Sequence, residues 1–333
     1  VRRRSFIVLA TMLFLSSPAH AWDAAGHMIT AGIAYRQLSP EARKDVDELL
    51  SHHPEATSWE DDRQQAGSPL DPGQYRFLRA STWPDEIKRK PGWPNHASWH
   101  FADYPLRGPD APPSPDPAHH DILVGLAQSE QLVMDSGAAS EDRAVALAYV
   151  IHLIGDLHQP LHCATAVTAL HPGPKGDAGG NETHVRIDSR RTVVLHALWD
   201  DLLGKSRRPA EAWHEALQLP AQRSDVKISS DGSEEDWSFE SRRLAQTVAY
   251  PGQVWTATGD GPLPVDDDYL QRANATAERQ MLVGGARLAV VLTRITSRQF
   301  PWRVILLAAL AITGGLWGIS RRGRRRAGVR SFR

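Results

Sequence analysis

The sequence predicts a mainly α-helical protein. Three observations carry this: apolar residues recur at three- and four-residue spacing along most of residues 22–299, several of these runs open on helix N-terminal signals, and Gly and Pro concentrate in two segments. That stretch is long enough for one large domain with a sizeable core.

The elements follow in chain order. Ala24 to Gln37 and Pro40 to His52 have helical apolar spacing, and Ser39 reads as an N-cap ahead of a proline at the first turn. Arg107 to His120 holds five prolines and reads as a surface loop. Ser140, followed by Glu141 and Asp142, opens a helix. Its apolar positions Val145, Ala148, Ile151 and Leu153 continue to about Leu157, before Pro160 ends it. Residues 171–181, rich in Gly and Pro, read as a second loop, and His184 to Ile187 as a short extended segment. Further helices are expected at 192–204, 207–218, 236–249 and 266–298, and no internal repeat is present.

Both ends carry targeting signals. Arg2, Arg3 and Arg4 precede an apolar run from Phe6 to Leu15 and an Ala19-His20-Ala21 cleavage signature, so residues 1–21 read as a signal peptide. Val304 to Ser320 is uncharged and mostly apolar, and seven arginines follow it. Residues 300–320 are therefore expected to form a transmembrane anchor and 321–333 a basic cytoplasmic tail. The expected localisation is across the bacterial inner membrane, with a periplasmic body held at the membrane by that C-terminal helix.

Charge and cysteine content narrow the function. The chain has 38 basic and 39 acidic residues, and the terminal segments hold three and eight basic residues with no acids. The body keeps 27 basic against 39 acidic residues, a net charge near −12, so its own side chains make a poor general phosphate-binding surface. Cys163 is the single cysteine, which excludes an intrachain disulfide and a thiolate zinc cluster and reads as a small packed residue.

Histidine and aspartate recur at ligand spacing. His152 and Asp156 lie four apart on one predicted helix, on the same face, and His162 follows just past Pro160. His196 and Asp200 repeat the arrangement on a second helix. Asp85, in Trp83-Pro-Asp-Glu, and His100, in Ser98-Trp-His-Phe, add ligands from loop-like segments. Cleavage after Ala21 would leave Trp22 as a free N-terminus close to His27, offering an amine and a carbonyl oxygen. Imidazole and carboxylate donors without cysteine suit catalytic zinc.

Trp22-Asp-Ala-Ala-Gly-His27, Trp83-Pro-Asp85-Glu, Trp99-His100-Phe101, the run from His152 to His162, Gly179-Gly-Asn181 and His196-Ala-Leu-Trp-Asp200 together resemble the motifs of the S1/P1 nucleases, the type I zinc nucleases, in family order. The resemblance spans about residues 22–299. It implies a helical zinc-hydrolase fold of the phospholipase C and nuclease type with three zinc ions per chain. One would be held by Asp85, His100, His152 and Asp156, a second by the Trp22 amine and carbonyl, His27 and the shared Asp156, and the third by His162, His196 and Asp200. The implied reaction is in-line attack of water on phosphorus in single-stranded DNA or RNA, giving 5′-phosphorylated nucleotides; 3′-nucleotides are further expected substrates.

Asp85, Asp156 and Lys88 are the expected catalytic residues, with Arg89 an alternative to Lys88 at the scissile phosphate. Phe101 and Asp103 match the family's base-stacking and base-bonding positions, and Asn181 a substrate-contacting asparagine. His158 is expected to point away from the ligands, as a supporting or surface group, and His52, His53, His96, His119, His120, His171 and His184 to be ordinary surface residues. A monomer is expected. Two other readings compete: a zinc phospholipase C acting on membrane lipid, and a non-catalytic zinc-binding surface protein. The short Trp22 to His27 interval and Asp200, where the phospholipases use Glu, favour the nuclease.

Overall fold

The computed structural model describes residues 22–299 apart from 89, 94–95, 114–120, 190, 205, 224–227 and 260. Ten α-helices are present among the described residues: α1 (Ala24–Gln37), α2 (Pro40–Leu50), α3 (Ala56–Gln65), α4 (Pro72–Ile87), α5 (Asp121–Met134), α6 (Ser140–Leu157), α7 (Leu195–Asp200), α8 (Pro209–Gln222), α9 (Glu234–Leu244) and α10 (Asp267–Gln299). Five short strands form two small sheets. β1 (Pro105–Arg107) pairs in parallel with β2 (Thr165–Val167); β3 (His184–Arg186) lies between antiparallel β4 (Thr192–Val194) and parallel β5 (Leu263–Pro264).

Burial explains the arrangement. From Ala146 to Leu157 every residue of α6 is buried, and α1 is buried without a break from Ala25 to Tyr35. A helix apolar all round belongs in the interior, and these two pack with α4, α5 and α10 around the larger core. A smaller core joins β2, β3 and α7 to the start of α10. Close approach requires glycine at Gly285 of α10, where a Cβ would meet Ile33 Cγ2 at 2.6 Å. The helix starts follow local chemistry: Ser39 accepts from the Ala42 N–H, and Asp71 and Gln74 form a reciprocal capping box on α4.

Several expectations change. The Asp85 segment is not a loop but the last turn of α4, with Pro84 inside the helix. Pro84 has no N–H for the carbonyl four residues back, yet the capping box and burial of Tyr75, Phe77 and Leu78 keep the helix continuous. Of the helix expected at 192–204, only 195–200 is helical, because the β-branched run Thr192-Val193-Val194 pairs with β3 instead. Helices α3, α4 and α5 are absent from the sequence expectation. α9 starts at Glu234, capped by Ser233, and passes into a π-turn at Ala245–Ala249.

Membrane localisation is corrected as well. Among the described residues no helix is long and apolar enough to cross a membrane; α10, over its described residues Asp267–Gln299, packs on α1. The segments expected to be signal peptide, anchor and tail lie outside the described residues.

Candidate metal centre

The last turns of α4 and α6, the start of α1 and α7, and two 3-10 turns, Ala97–His100 and Pro160–Cys163, converge on one buried pocket. It contains three groups of side chains whose ligand atoms lie within 4.8 Å of one another: His27, His152 and Asp156; Asp85, His100 and His152; and His162, His196 and Asp200. All of these are buried except Asp85, which is 11% exposed.

Asp156 joins the first two groups. Its Oδ2 lies 2.7 Å from His100 Nδ1 and 3.1 Å from His152 Nε2, and its Oδ1 lies 3.3 Å from His27 Nε2. Asp85 Oδ1 is 3.6 Å from both His100 Nδ1 and His152 Nε2, and its Oδ2 is 3.9 Å from His27 Nε2. In the third group His162 Nε2 and His196 Nε2 are 3.1 Å apart, and His196 Nε2 is 3.6 Å from Asp200 Oδ2.

Backbone carbonyls fix the rings. A carbonyl can only accept, so the ring nitrogen facing it carries the proton. His152 Nδ1 donates to Ser81 O at 2.7 Å, His162 Nδ1 to His100 O at 2.7 Å and His196 Nδ1 to Gly179 O at 2.6 Å. The other nitrogen of each neutral ring then offers a lone pair to the pocket, the arrangement that second-shell bonds impose on metal-binding histidines.

The donor set fits zinc. Two lone pairs facing each other across 3.1 Å, at His162 and His196, repel unless a cation sits between their lines. Two imidazoles bound tetrahedrally to zinc at about 2.05 Å stand about 3.3 Å apart, close to that spacing. Both ring nitrogens of His27 are buried without a hydrogen-bond partner, as is Asp156 Oδ1, and buried polar atoms of that kind call for a ligand.

The electrostatics favour the ligating form at every group here except His152 and Asp200, which are shifted toward protonation. Burial, joined by the charge of His152, holds the His27 pKa below its ordinary value. Burial likewise pushes His100 and His196 down to about 4 and His162 well down. For His152 burial is outweighed by Asp156 and Asp85, which raise it. Burial opposes ionisation of Asp85 and Asp156, but the surrounding imidazoles, and Lys88 at Asp85, hold both below the usual carboxylate range. Asp200 is raised by burial despite a hydrogen bond from Gln159.

Of the remaining predicted residues, Trp22, Lys88 and Phe101 lie against these groups. Trp22 is fully buried; its indole donates to Gly155 O at 3.1 Å, and the next residue, Asp23, gives its N–H to Asp200 O at 3.3 Å while capping α1. These contacts tie residue 22 to the ends of α6 and α7. Lys88 Nζ lies 2.7 Å from Asp85 Oδ1 and 5.8 Å from the centre of the Phe101 ring. Phe101 is half-buried, 4.7 Å from the His162 ring. Asp103 adopts a left-handed φ of 49°, and burial, then Asp121 and Asp177, push its carboxyl up to about 6. Asn181 spends one amide bond on its own turn, Nδ2 to Ala178 O at 2.8 Å. Arg89 lies outside the described residues.

One histidine differs from expectation. His53 is not a surface group: it is buried and stacks on Trp59 at 4.5 Å. His158 is also buried, in a supporting place, where Arg287 Nη1 donates to its Nε2 at 2.9 Å. Cys163 is buried and packed. Sequence reasoning missed Gln159, whose Nε2 donates to Asp200 Oδ1 at 2.8 Å while its Oε1 accepts from Leu161 N at 2.6 Å. Its place between the ligands His152 and His162 was the available signal. Asp177, two residues before Gly179, was missed too.

Comparison with known proteins agrees with this architecture. The family model for S1/P1 nucleases matches residues 22–297. Endonuclease 3 of Arabidopsis thaliana is 26% identical over 314 residues, covering 89% of this chain and 96% of the relative. Nuclease PA3 of a Penicillium species is 26% identical and nuclease P1 of Penicillium citrinum 27% identical, each over 300 residues that cover 80% of this chain and 95% of the relative. These relatives are plant and fungal, and the anchored bacterial periplasmic localisation expected from the chain ends finds no support in them.

Proposed function

The chain belongs to the S1/P1 nuclease family, and from that premise we propose that it hydrolyses single-stranded DNA and RNA to 5′-phosphorylated nucleotides, and dephosphorylates 3′-nucleotides, with three zinc ions as cofactor. The observation that carries the zinc reading is the pair of imidazole lone pairs facing each other at 3.1 Å in the third group. Asp85, His100, His152 and Asp156 would hold one ion; His27, Asp156 and the Trp22 terminus, freed by removal of residues 1–21, a second; His162, His196 and Asp200 the third. Zinc, when bound, supplies Lewis acidity toward phosphate and a nucleophile at neutral pH. The catalytic unit is residues 22–299, acting as a monomer.

The chain's own residues bind and orient. Lys88, 14% exposed and paired with Asp85, offers an ammonium beside the scissile phosphate, where charge-assisted bonds are strong. Phe101 presents a half-buried ring on which one unstacked base can lie. Asp103 accepts from that base's edge, and Asn181 adds a polar contact from the Gly179-Gly180 turn. A base reaches Phe101 only once it has left a duplex stack, which accounts for single-strand preference. The acidic body attracts a polyanion poorly, so binding depends on the cleft itself.

The test is protein beginning at Trp22, assayed on single-stranded DNA, RNA and phosphatidylcholine with zinc measured in the same sample. Nucleic-acid cleavage with about three zincs per chain supports the proposal. Lipid cleavage alone, or bound zinc without either activity, sinks it.

A further inference from the structure

The loop between β2 and β3 has five residues in the left-handed region, Gly173, Gly176, Ala178, Gly179 and Gly180. A segment so irregular has few ladder bonds of its own and must be held from outside. Asp177, fully buried, does the holding. Its Oδ1 accepts from Ala166 N at 2.9 Å and Tyr250 OH at 2.7 Å, with Thr165 Oγ1 at 3.5 Å; its Oδ2 accepts from Thr183 Oγ1 at 2.7 Å. Its own N–H donates to Ala166 O at 3.0 Å, and its carbonyl accepts from Glu182 N at 3.0 Å. One side chain thus pins both ends of the loop to β2 and to the π-turn region.

The opposite side of that loop reaches the third ligand group. Gly179 O receives His196 Nδ1 at 2.6 Å, Gly180 O receives His196 N at 3.3 Å, and Thr183 O receives Leu195 N at 2.8 Å. A side chain at 179 is barred, since a Cβ there would lie 2.6 Å from Leu161 O. We propose that Asp177 is a positioning residue for the group His162, His196 and Asp200, acting through the Gly179 carbonyl that sets the tautomer and direction of the His196 ring. Only a group with several acceptor sites can hold these donors together: an ionised carboxylate has four lone-pair positions, an amide oxygen two and a methyl none. Asp177→Asn keeps an acceptor for Ala166 N and Tyr250 OH and can donate to Thr183 Oγ1. Asp177→Ala releases all of them.

The proposal rests on the zinc reading of the pocket. Its test is chelator competition for zinc on protein beginning at Trp22, comparing wild type, Asp177→Ala and Asp177→Asn, with helix content followed in parallel. Outer partners of metal ligands typically change affinity about 10- to 100-fold. Asp177→Ala should weaken one zinc at least about tenfold while the other ions keep wild-type affinity, and Asp177→Asn should restore most of that loss. Wild-type affinity at every site in Asp177→Ala overturns the proposal, as does an Asp177→Asn as weak as Asp177→Ala. Should Asp177→Ala fail to fold, Thr183→Val decides: weakening of one zinc supports the positioning role and unchanged zinc overturns it. A wild-type chain that binds no zinc and cleaves nothing would instead defeat the nuclease reading itself.

Discussion

Replacing Arg287 by Met removes the centre of a polar ladder packed beneath the last turn of α6. Arg287 lies on α10 with its side chain 5% exposed. It donates Nη1 to His158 at 2.9 Å and Nη2 to Glu240 Oε2 at 2.6 Å, and its guanidinium carbon is 5.0 Å from the centre of the Trp237 ring. A hydrogen bond to a charged group contributes about 1.5–3 kcal/mol, and a buried nitrogen left without a partner costs about 1–3 kcal/mol. Loss of the contact with Trp237 adds about 1 kcal/mol. Against this, Glu240 is 21% exposed and can turn to water, and Met keeps apolar volume while avoiding the desolvation of a guanidinium. The net expectation is a loss of about 3 kcal/mol. With an unfolding entropy of about 2 cal/mol/K per residue over this body, the melting temperature falls by about 5 °C. Urea and thermal unfolding, on zinc-loaded and chelated protein, measure it, and a cycle with Glu240→Gln isolates the pair. A loss under about 1 kcal/mol, or a gain, would refute the reasoning and mean that desolvation already cancels the ladder.

Three further outcomes are expected. Burial lowers the His53 pKa from 6.5 to about 3, so the unfolded chain takes up a proton at pH values where the native ring stays neutral. The resulting stability is complete above about pH 6.5 and is lost as pH falls toward 3, at up to about 1.4 kcal/mol per pH unit. His53→Phe, which keeps the stack on Trp59, should flatten this acid limb; parallel pH-stability curves for the two proteins would exclude it. Gly155→Ala gains about 1 kcal/mol of helix propensity, but its Cβ would lie 2.8 Å from His27 Nδ1, whose ring is stacked on His152 at 4.0 Å. Chelated protein should keep its stability while zinc binding at His27 weakens, and unaltered zinc affinity would show that the ring has room to move. A residue retained ahead of Trp22 should cost one zinc and most activity, because the terminal amine, with an ordinary pKa of about 7.7–8, must be free to deprotonate; equal activity with and without the extension rejects the Trp22 ligand.

Much of the site was legible because ligand spacing is local. His152 and Asp156, or His196 and Asp200, face one way for reasons of helix geometry alone, and the structure places both pairs in the pocket. Asp85 was found by its motif although its element was misread: a proline usually ends a helix, whereas Pro84 here is buried within one. Thr192-Val193-Val194 was misread the other way, since a three-residue strand has no periodicity to detect and exists only because β3 lies beside it. His53 looked like a surface histidine because no sequence spacing reveals that Trp59 and Trp83 will enclose it.

By itself the sequence determined the helical class and the His and Asp pairs at ligand spacing, which follow from periodicity along one chain, and the family, which follows from the resemblance of its motifs. Only the tertiary structure decided which nitrogen of His152, His162 and His196 faces the pocket, since the carbonyls of Ser81, His100 and Gly179 that fix these rings come from 71, 62 and 17 residues away. It likewise decided the supporting groups, Gln159, Asp177, His158 and Arg287. Their roles rest on hydrogen bonds between segments distant in the chain, and a buried polar group has a place only where folding has brought its partner.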